Sequence, residues 1–278
     1  MIQSDIARTM QLSPSNPIRK GNMSSLKGST ENVLLTKYYS NIRSVCAYCR
    51  SLPYLGNNFE CPCCGGHFRR FRSFGIHSRP NAQCPRCLSL ERHRLQWLYL
   101  RNKTHLFTYP LRMLHVAPES MFRKAFVAMP NIDYVGIDLS SPAAMVMMDI
   151  TSTAMCDNTF DVIICNHVLE HIPNDTNAMS ELFRVLKPDG WAILQVPIVR
   201  EKTFEDTRIS TPAERLEAYG HEDHFRANGR DYAERLVSVG FCVRVDDYAK
   251  ELGEDAVQRY RLPTNEKIYF CSKSSLPQ

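Results

Sequence analysis

Two Cys-x2-Cys pairs stand out: Cys61 and Cys64 in "CPCCGG", Cys84 and Cys87 in "CPRC", with 19 residues between the pairs. Two such knuckles offer four thiolates, the donor set that tetrahedral Zn2+ takes in a structural ribbon. Glycines after Cys64 suit a tight turn whose N–H groups face sulfur. A competing framework pairs Cys46 and Cys49 with Cys61 and Cys64, but the later set closes a site without them and leaves Cys46, Cys49 and Cys63 spare. His67 and His77 read as surface residues.

A second group of residues sits at the ends of apolar runs. "LRMLHVAPES" (111–120) reads as a buried strand, but its turn, Ala117-Pro118-Glu119, holds no glycine. A dinucleotide pyrophosphate needs converging N–H groups at such a turn, which argues against NAD. Asp138 follows the apolar part of "YVGIDLS", 23 positions after His115, where an acid accepts hydrogen bonds from both ribose hydroxyls of a nucleoside. Asp149, in "MMDI", ends the next run within reach of an adenine amino group. His167 and His171 occupy the polar loop after "FDVIICN", and histidine is suited to act as a base near neutral pH. Further on, "HEDHFRANGRDY" gathers His221, Glu222, Asp223, His224 and Arg226; the His221/His224 pair lacks an evident third metal ligand, so the segment reads as a polar or substrate-facing loop.

These residues need elements to hold them. The spacing predicts strands at "RMLHVA", "DYVGIDL", "AMVMMD", "FDVIICN", "WAILQVP", "FCVRVDD" and "KIYFCSK", and helices at "PESMFRKAFVAM", "DTNAMSELFRVLK" and "GRDYAERLVSVG". Alternating strands and helices with continuous apolar strands predict a doubly wound, mostly parallel α/β sheet. "SLERHRLQWLYLRNK", with serine at a plausible N-cap, reads as a helix joining this sheet to the ribbon. The expected organisation is an aperiodic stretch over 1–30, an N-terminal segment with the ribbon over 31–87 (a short helix near 31–45), a connecting helix over 88–110, and the sheet domain over 111–278.

Charge divides in the same way. Residues 61–103 carry nine Arg or Lys against Glu91 alone, while residues 104–278 carry 18 basic and 25 acidic residues. The basic stretch, with Phe68, Phe71 and Phe74 interleaved, fits either of two roles. It contacts nucleic acid through phosphates and stacked bases, or the rings form the ribbon's core while the arginines face the thiolates and the acidic domain. No run approaches the ~20 apolar residues of a membrane span, and the polar N-terminus lacks a signal-peptide core. The expected setting is cytoplasmic, where eleven cysteines point to metal or buried thiols rather than disulfides.

"VGIDLS", "FDVIICNHVLEHI" and "RVLKPDGWAILQVP", in this order, resemble the later motifs of class I S-adenosylmethionine (SAM)-dependent methyltransferases. The similarity is to the ubiquinone-biosynthesis-type, or methyltransferase type 11, group and covers residues 111–278. It implies a Rossmann-like seven-stranded sheet with an antiparallel last hairpin. It also implies SAM at the carboxyl ends of the first strands, held by His115, Ala117, Glu119, Asp138, Leu139, Asp149, Ile150 and Asn166. His167 and His171 become the catalytic candidates. In that group an acid usually stands at the position of His115, followed by a glycine-rich loop; here Glu119 is free to pair with the SAM ammonium, or serves only the helix N-terminus. The acceptor expected is a small molecule or glycan. The alternatives are a zinc-ribbon RNA (rRNA base) methyltransferase and a catalytically inactive SAM-fold binding module.

Overall fold

The computed structural model describes residues 45–75, 78–141 and 144–274. The chain divides into two units, residues 1–46 and 47–278, and the second carries everything below. The expected aperiodic stretch over 1–30 and the short helix over 31–45 lie outside the described residues, save position 45.

The ribbon is two antiparallel hairpins, β1 (Leu55–Cys61) with β2 (Gly66–Phe68) and β3 (Arg72–Phe74) with β4 (Arg79–Gln83). Gly65, in the left-handed region at φ +63°, closes the first knuckle through its N–H to Cys61 O at 2.8 Å. Phe68 and Phe71 are buried with Cys61 and Cys84, whereas Phe74 remains exposed. Two of the three rings are therefore core, unavailable for stacking on bases.

Helix α1 (Glu91–Lys103) follows. Its N-cap is Leu90, not the expected serine. Ser89 is fully buried, and its hydroxyl lies 3.2 Å from both Cys61 and Cys87 Sγ, so the sulfur cluster claims the group that sequence assigned to the helix.

Seven strands make one sheet: β5 (Leu111–Val116), β6 (Ile132–Asp138), β7 (Val146–Met147), β8 (Phe160–Asn166), β9 (Leu186–Gln195), β12 (Cys242–Asp246) and β13 (Ile268–Ser272). Their order is β12-β13-β9-β8-β5-β6-β7, and only β13 runs against the rest. Strand order reverses on either side of β5, and ligands of such sheets bind beyond the strand carboxyl ends at that point. Alternate strand residues face opposite layers. Leu114, Val116, Ile163 and Cys165 pack with α3 (Asp175–Val185) and α5 (Tyr232–Ser238); Met113, Val162, Ile164 and Ile193 pack with α1 and α2 (Ser120–Val127).

The seven expected strands are these seven, with one much shortened. "AMVMMD" keeps only Val146 and Met147, because it lies at the sheet edge with Met145, Val146 and Met147 exposed and little apolar burial to hold it. Helix α3 stops at Val185, short of the expected 187, since Leu186 already pairs with Phe160 and Lys187 precedes Pro188. A parallel pair, β10 (Ile198–Arg200) with β11 (Asn228–Gly229), was not expected; nor were helices α4 (Pro212–Tyr219), α6 (Tyr248–Leu252) and α7 (Glu254–Tyr260). The start of α4 is a capping box, Thr211 with Glu214, a signal that the sequence displays openly. Among the described residues no helix is long and apolar enough to cross a membrane.

Arg94 joins ribbon to sheet. Fully buried, it donates to Ala82 O and Ser89 O (both 3.0 Å), Tyr260 O (2.6 Å) and Arg261 O (2.7 Å), and stacks 4.7 Å from the Phe71 ring centroid. Replacing it with methionine leaves four carbonyls without a donor, at about 1–3 kcal/mol for each group that stays dry. Urea unfolding of Arg94→Met should show a loss of at least about 3 kcal/mol, with the ribbon cut first in limited proteolysis. A loss under about 1 kcal/mol would mean that the two parts hold together without it.

Candidate active site

The loop after β5 keeps a glycine-like shape without glycine. Ala117 takes φ +46°, and its N–H bonds to Ile137 O at 2.8 Å. Pro118 then packs over Gly136 in the neighbouring strand, where an added Cβ would sit 3.1 Å from Pro118 Cγ. A left-handed alanine is uncommon and costs energy that its surroundings must offset.

Glu119 takes the N-cap position of α2 but makes no capping hydrogen bond. Its carboxylate turns inward instead. His115 Nε2 lies 2.9 Å from Oε2, and Asn166 Nδ2 donates to Oε1 at 3.0 Å. Each partner has its own support. His115 is fully buried with Nδ1 3.1 Å from Tyr134 Oη, while Asn166 Nδ2 also donates to Gln96 Oε1 at 2.9 Å. His93 Nδ1 accepts the Leu90 N–H at 3.2 Å, which leaves the ring proton on Nε2, 3.8 Å from Glu119 Oε1. Burial alone would raise the Glu119 pKa, but His115 and His93 outweigh it and hold the carboxyl at about 2. Glu119 is therefore an anion, with 18% of its side chain exposed at the loop.

Asp138 ends β6 half-buried, its Oδ1 accepting the N–H groups of Ser140 (2.9 Å) and Ser141 (2.7 Å). This turn fixes the carboxylate at the strand tip, beside the exposed side chain of Leu139. Asp149 lies two residues past the end of β7 rather than on it. It is exposed, with Oδ1 accepting from Thr151 N and Oγ1 at 2.8 Å, while Ile150 is buried behind it.

The loop after β8 separates the two histidines that the sequence grouped. His167, at φ +53°, has Nδ1 3.4 Å from Glu170 Oε1 and Nε2 3.9 Å from Glu266 Oε1. Burial pushes the Glu266 carboxyl up, against the pull of His167. His167 lines a cleft of about 1420 Å3, walled by Arg79 of the ribbon, Arg92 of α1, Arg200 of β10, and Arg230, Arg261 and Lys267 of the sheet domain. His171 is not in that wall. Its ring lies 4.7 Å from that of His224 and 5.6 Å from that of His221. Sequence reading missed Gln96, His93, Glu170 and Glu266. Glu170 stood visible inside "LEH", but nothing local marked it as buried.

In the ribbon, Cys61 and Cys87 sulfurs lie 3.6 Å apart and those of Cys64 and Cys84 3.7 Å, with all four within 4.8 Å of one another. Tetrahedral thiolates at about 2.3 Å from a metal stand roughly 3.8 Å apart, so the donors fit zinc. Hydrogen bonds from Cys63 and the other three thiols hold Cys61 well below the ordinary thiol range, while hydrogen bonds with Cys61, Cys64 and Cys87 push Cys84 upward. Cys49 is exposed and outside the cluster; Cys63 Sγ contacts His93 O at 3.9 Å.

Residues 119–194 match the family described as "Methyltransferase domain". The match spans 76 of the 278 residues and identifies that segment as a methyltransferase domain. The chain carries a class I SAM-dependent methyltransferase domain. An uncharacterized protein of Methanocaldococcus jannaschii is 40% identical over 57 residues, which are 19% of this chain and 25% of that protein. This chain thus matches a quarter of that relative's length. Among solved structures, the chain is similar to a Burkholderia thailandensis 1,6-didemethyltoxoflavin N1-methyltransferase holding 1,6-didemethyltoxoflavin and S-adenosylhomocysteine (14% identity, 60% of this chain and 72% of that chain, TM-score 0.42). It is likewise similar to a SAM-dependent methyltransferase of Mesorhizobium loti (13% identity, 64% and 96%, TM-score 0.42).

Burial of His93 on α1 has a consequence for acid stability. Burial lowers the His93 pKa from 6.5 to about 4, against the opposing pull of Glu119. A depressed pKa means that the unfolded chain binds the proton first. The resulting stability is present above pH 6.5 and is lost as pH falls toward 4, a change of roughly 3 kcal/mol. Glu119, held at about 2, contributes to acid lability only below about pH 4.5. His93→Gln keeps an acceptor for Leu90 N–H and cannot be protonated. Urea titrations from pH 7 to 4 should show a flatter decline than wild type, with a residual slope from His224, whose pKa burial also lowers to about 4. Identical slopes would show that His93 does not drive it.

Proposed function

We propose that the protein transfers the methyl group of SAM to a small-molecule or glycan-type acceptor seated in the cleft beside His167. The observation that carries this reading is the placement of two acidic residues, Asp138 and Glu119, at or just beyond the carboxyl ends of the adjacent strands β6 and β5 in a sheet of this order. Asp138 takes the ribose hydroxyls, Leu139 and Ile150 flank the adenine, and Asp149 reaches toward its amino group. Glu119 faces the ammonium of the amino-acid tail, while His115 and Asn166 act behind it as positioning residues.

Bound SAM supplies an electrophilic methyl on a sulfonium. The chain's task is then to hold an acceptor in line with it, where proximity carries much of the acceleration. His167, its side chain 23% exposed, is the proposed base, with Glu170 beside Nδ1 orienting the ring. The four thiolates hold a Zn2+ that is structural, since they leave no open position. Zinc ligation needs reduced thiols, which supports a cytoplasmic setting. Burial of Phe68 and Phe71 removes most of the stacking support for an RNA acceptor.

Calorimetry tests the cofactor assignment. Asp138→Ala removes the acceptor of two ribose hydroxyls, worth on the order of 1–3 kcal/mol for bonds to a charged group, so SAM should bind roughly tenfold to a hundredfold more weakly. Wild-type protein that binds no SAM at millimolar concentration would end the enzyme reading and leave a binding module.

A further inference from the structure

Three histidines that do not line the cleft converge near Glu170, outside the ribbon. The candidate ligand nitrogens of His171, His221 and His224 all lie within 4.8 Å of one another, from rings that are half-buried. His171 closes the short helical turn after β8, and the other two are three residues apart in the loop after α4. Sequence spacing offered only the His221/His224 pair; the fold brings the third ligand from 50 residues upstream.

The cluster is built rather than incidental. Arg226, 2% exposed, donates to Leu169 O, Ile172 O and Pro173 O at 2.8 Å, which pins the His171 turn to the segment carrying His224. Phe225 N–H adds a bond to Glu170 O at 2.8 Å. Asp175 and Glu205 flank the guanidinium of Arg226, so that clamp is itself held. The rings that it brings together make few hydrogen bonds within the protein. Among the described residues, the hydrogen-bond partner of their ring nitrogens is the Asp223 N–H at His221 Nδ1, 3.2 Å away. Beside them Glu170, 1% exposed, has a buried Oε2 with no partner among the described residues.

We propose that His171, His221 and His224 bind one divalent transition-metal ion, zinc being the simplest occupant. Three neutral imidazoles are the donor set of open zinc sites, whose fourth position takes water or an oxygen ligand. Ligand nitrogens about 2.0–2.1 Å from a tetrahedral ion stand roughly 3.3 Å apart, so small ring rotations from the present spacing complete the site. Glu170, behind the ligands, supplies the compensating negative charge that metal-bound histidines commonly have nearby. The site differs from the ribbon in every respect that matters for assay: nitrogen donors, an open position, and a loop rather than a knuckle.

The test loads the full chain with Co2+ after chelation, then counts bound metal by mass spectrometry and records the absorption spectrum. Wild type should hold one equivalent more than His221→Ala/His224→Ala. The difference spectrum should show only weak visible bands, with the strong near-ultraviolet thiolate band of the ribbon retained in both proteins. Should the double variant melt early, His221→Gln provides the same comparison with a lesser change. Equal metal content in wild type and a folded variant, or a difference carried by the thiolate band, would overturn the proposal. Because no SAM is present, the result stands apart from the methyl-transfer reading.

Discussion

The buried carboxylate of Glu119 is the constraint around which the cofactor end of the sheet is arranged. Taking a carboxylate out of water is costly unless it is hydrogen-bonded and faced by positive or donor groups. Its hydrogen bonds come from two separate elements, His115 on β5 and Asn166 at the tip of β8, while His93 on α1 approaches to 3.8 Å. Gln96 and Tyr134 then orient those donors. Losing any one of them leaves an acid or an amide partly unpaired in a dry place, so strand, loop and connecting helix are coupled through one side chain. The same coupling explains how the loop tolerates Ala117 at positive φ. Pro118 on Gly136 and Glu119 on its donors fix the backbone from the far side, replacing with contacts the freedom that glycine would have supplied.

The ribbon belongs to this arrangement. Helix α1 carries Arg94, which ties ribbon carbonyls to those of Tyr260 and Arg261, and it carries His93 and Gln96 into the Glu119 network. The four-cysteine cluster of the ribbon is thereby coupled to the geometry of the loop after β5. Arg79 and Asn81 of the ribbon also wall the cleft beside His167, which is the proposed acceptor site. The ion pair of Arg79 with Glu91 is half-exposed and counts for little beside the buried Arg94.

Much of this was legible in the sequence because it is local. The apolar runs and the Cys-x2-Cys spacing report on neighbours in the chain, and they indicated the sheet strands and the four clustered sulfurs. What failed was decided at long range. "AMVMMD" has the composition of a strand, but its position at the sheet edge left it two residues long. Ser89 looked like a helix cap until the sulfurs 28 and 2 residues away took its hydroxyl. The alternative that Glu119 serves the helix start gave way to bonds with residues on two other elements. The partners of Asn166 and His93 lie far off in sequence, and no periodicity announces them. His171 and His224 were each noted, but only the fold brings their rings together.

In the proposed reading, Glu119, carried on a loop without glycine, faces the charged tail of the cofactor. That role is tested most directly by comparing two ligands that differ only in that tail. S-adenosylhomocysteine has the amino-acid group and 5′-methylthioadenosine lacks it, while both present the same nucleoside to Asp138. Calorimetry of wild type and Glu119→Gln should show S-adenosylhomocysteine bound about tenfold more weakly by the variant, the value of roughly 1.4 kcal/mol, with 5′-methylthioadenosine affinity unchanged. Equal losses for both ligands would mean that Glu119 only holds the loop together, and no loss for either would remove it from the site.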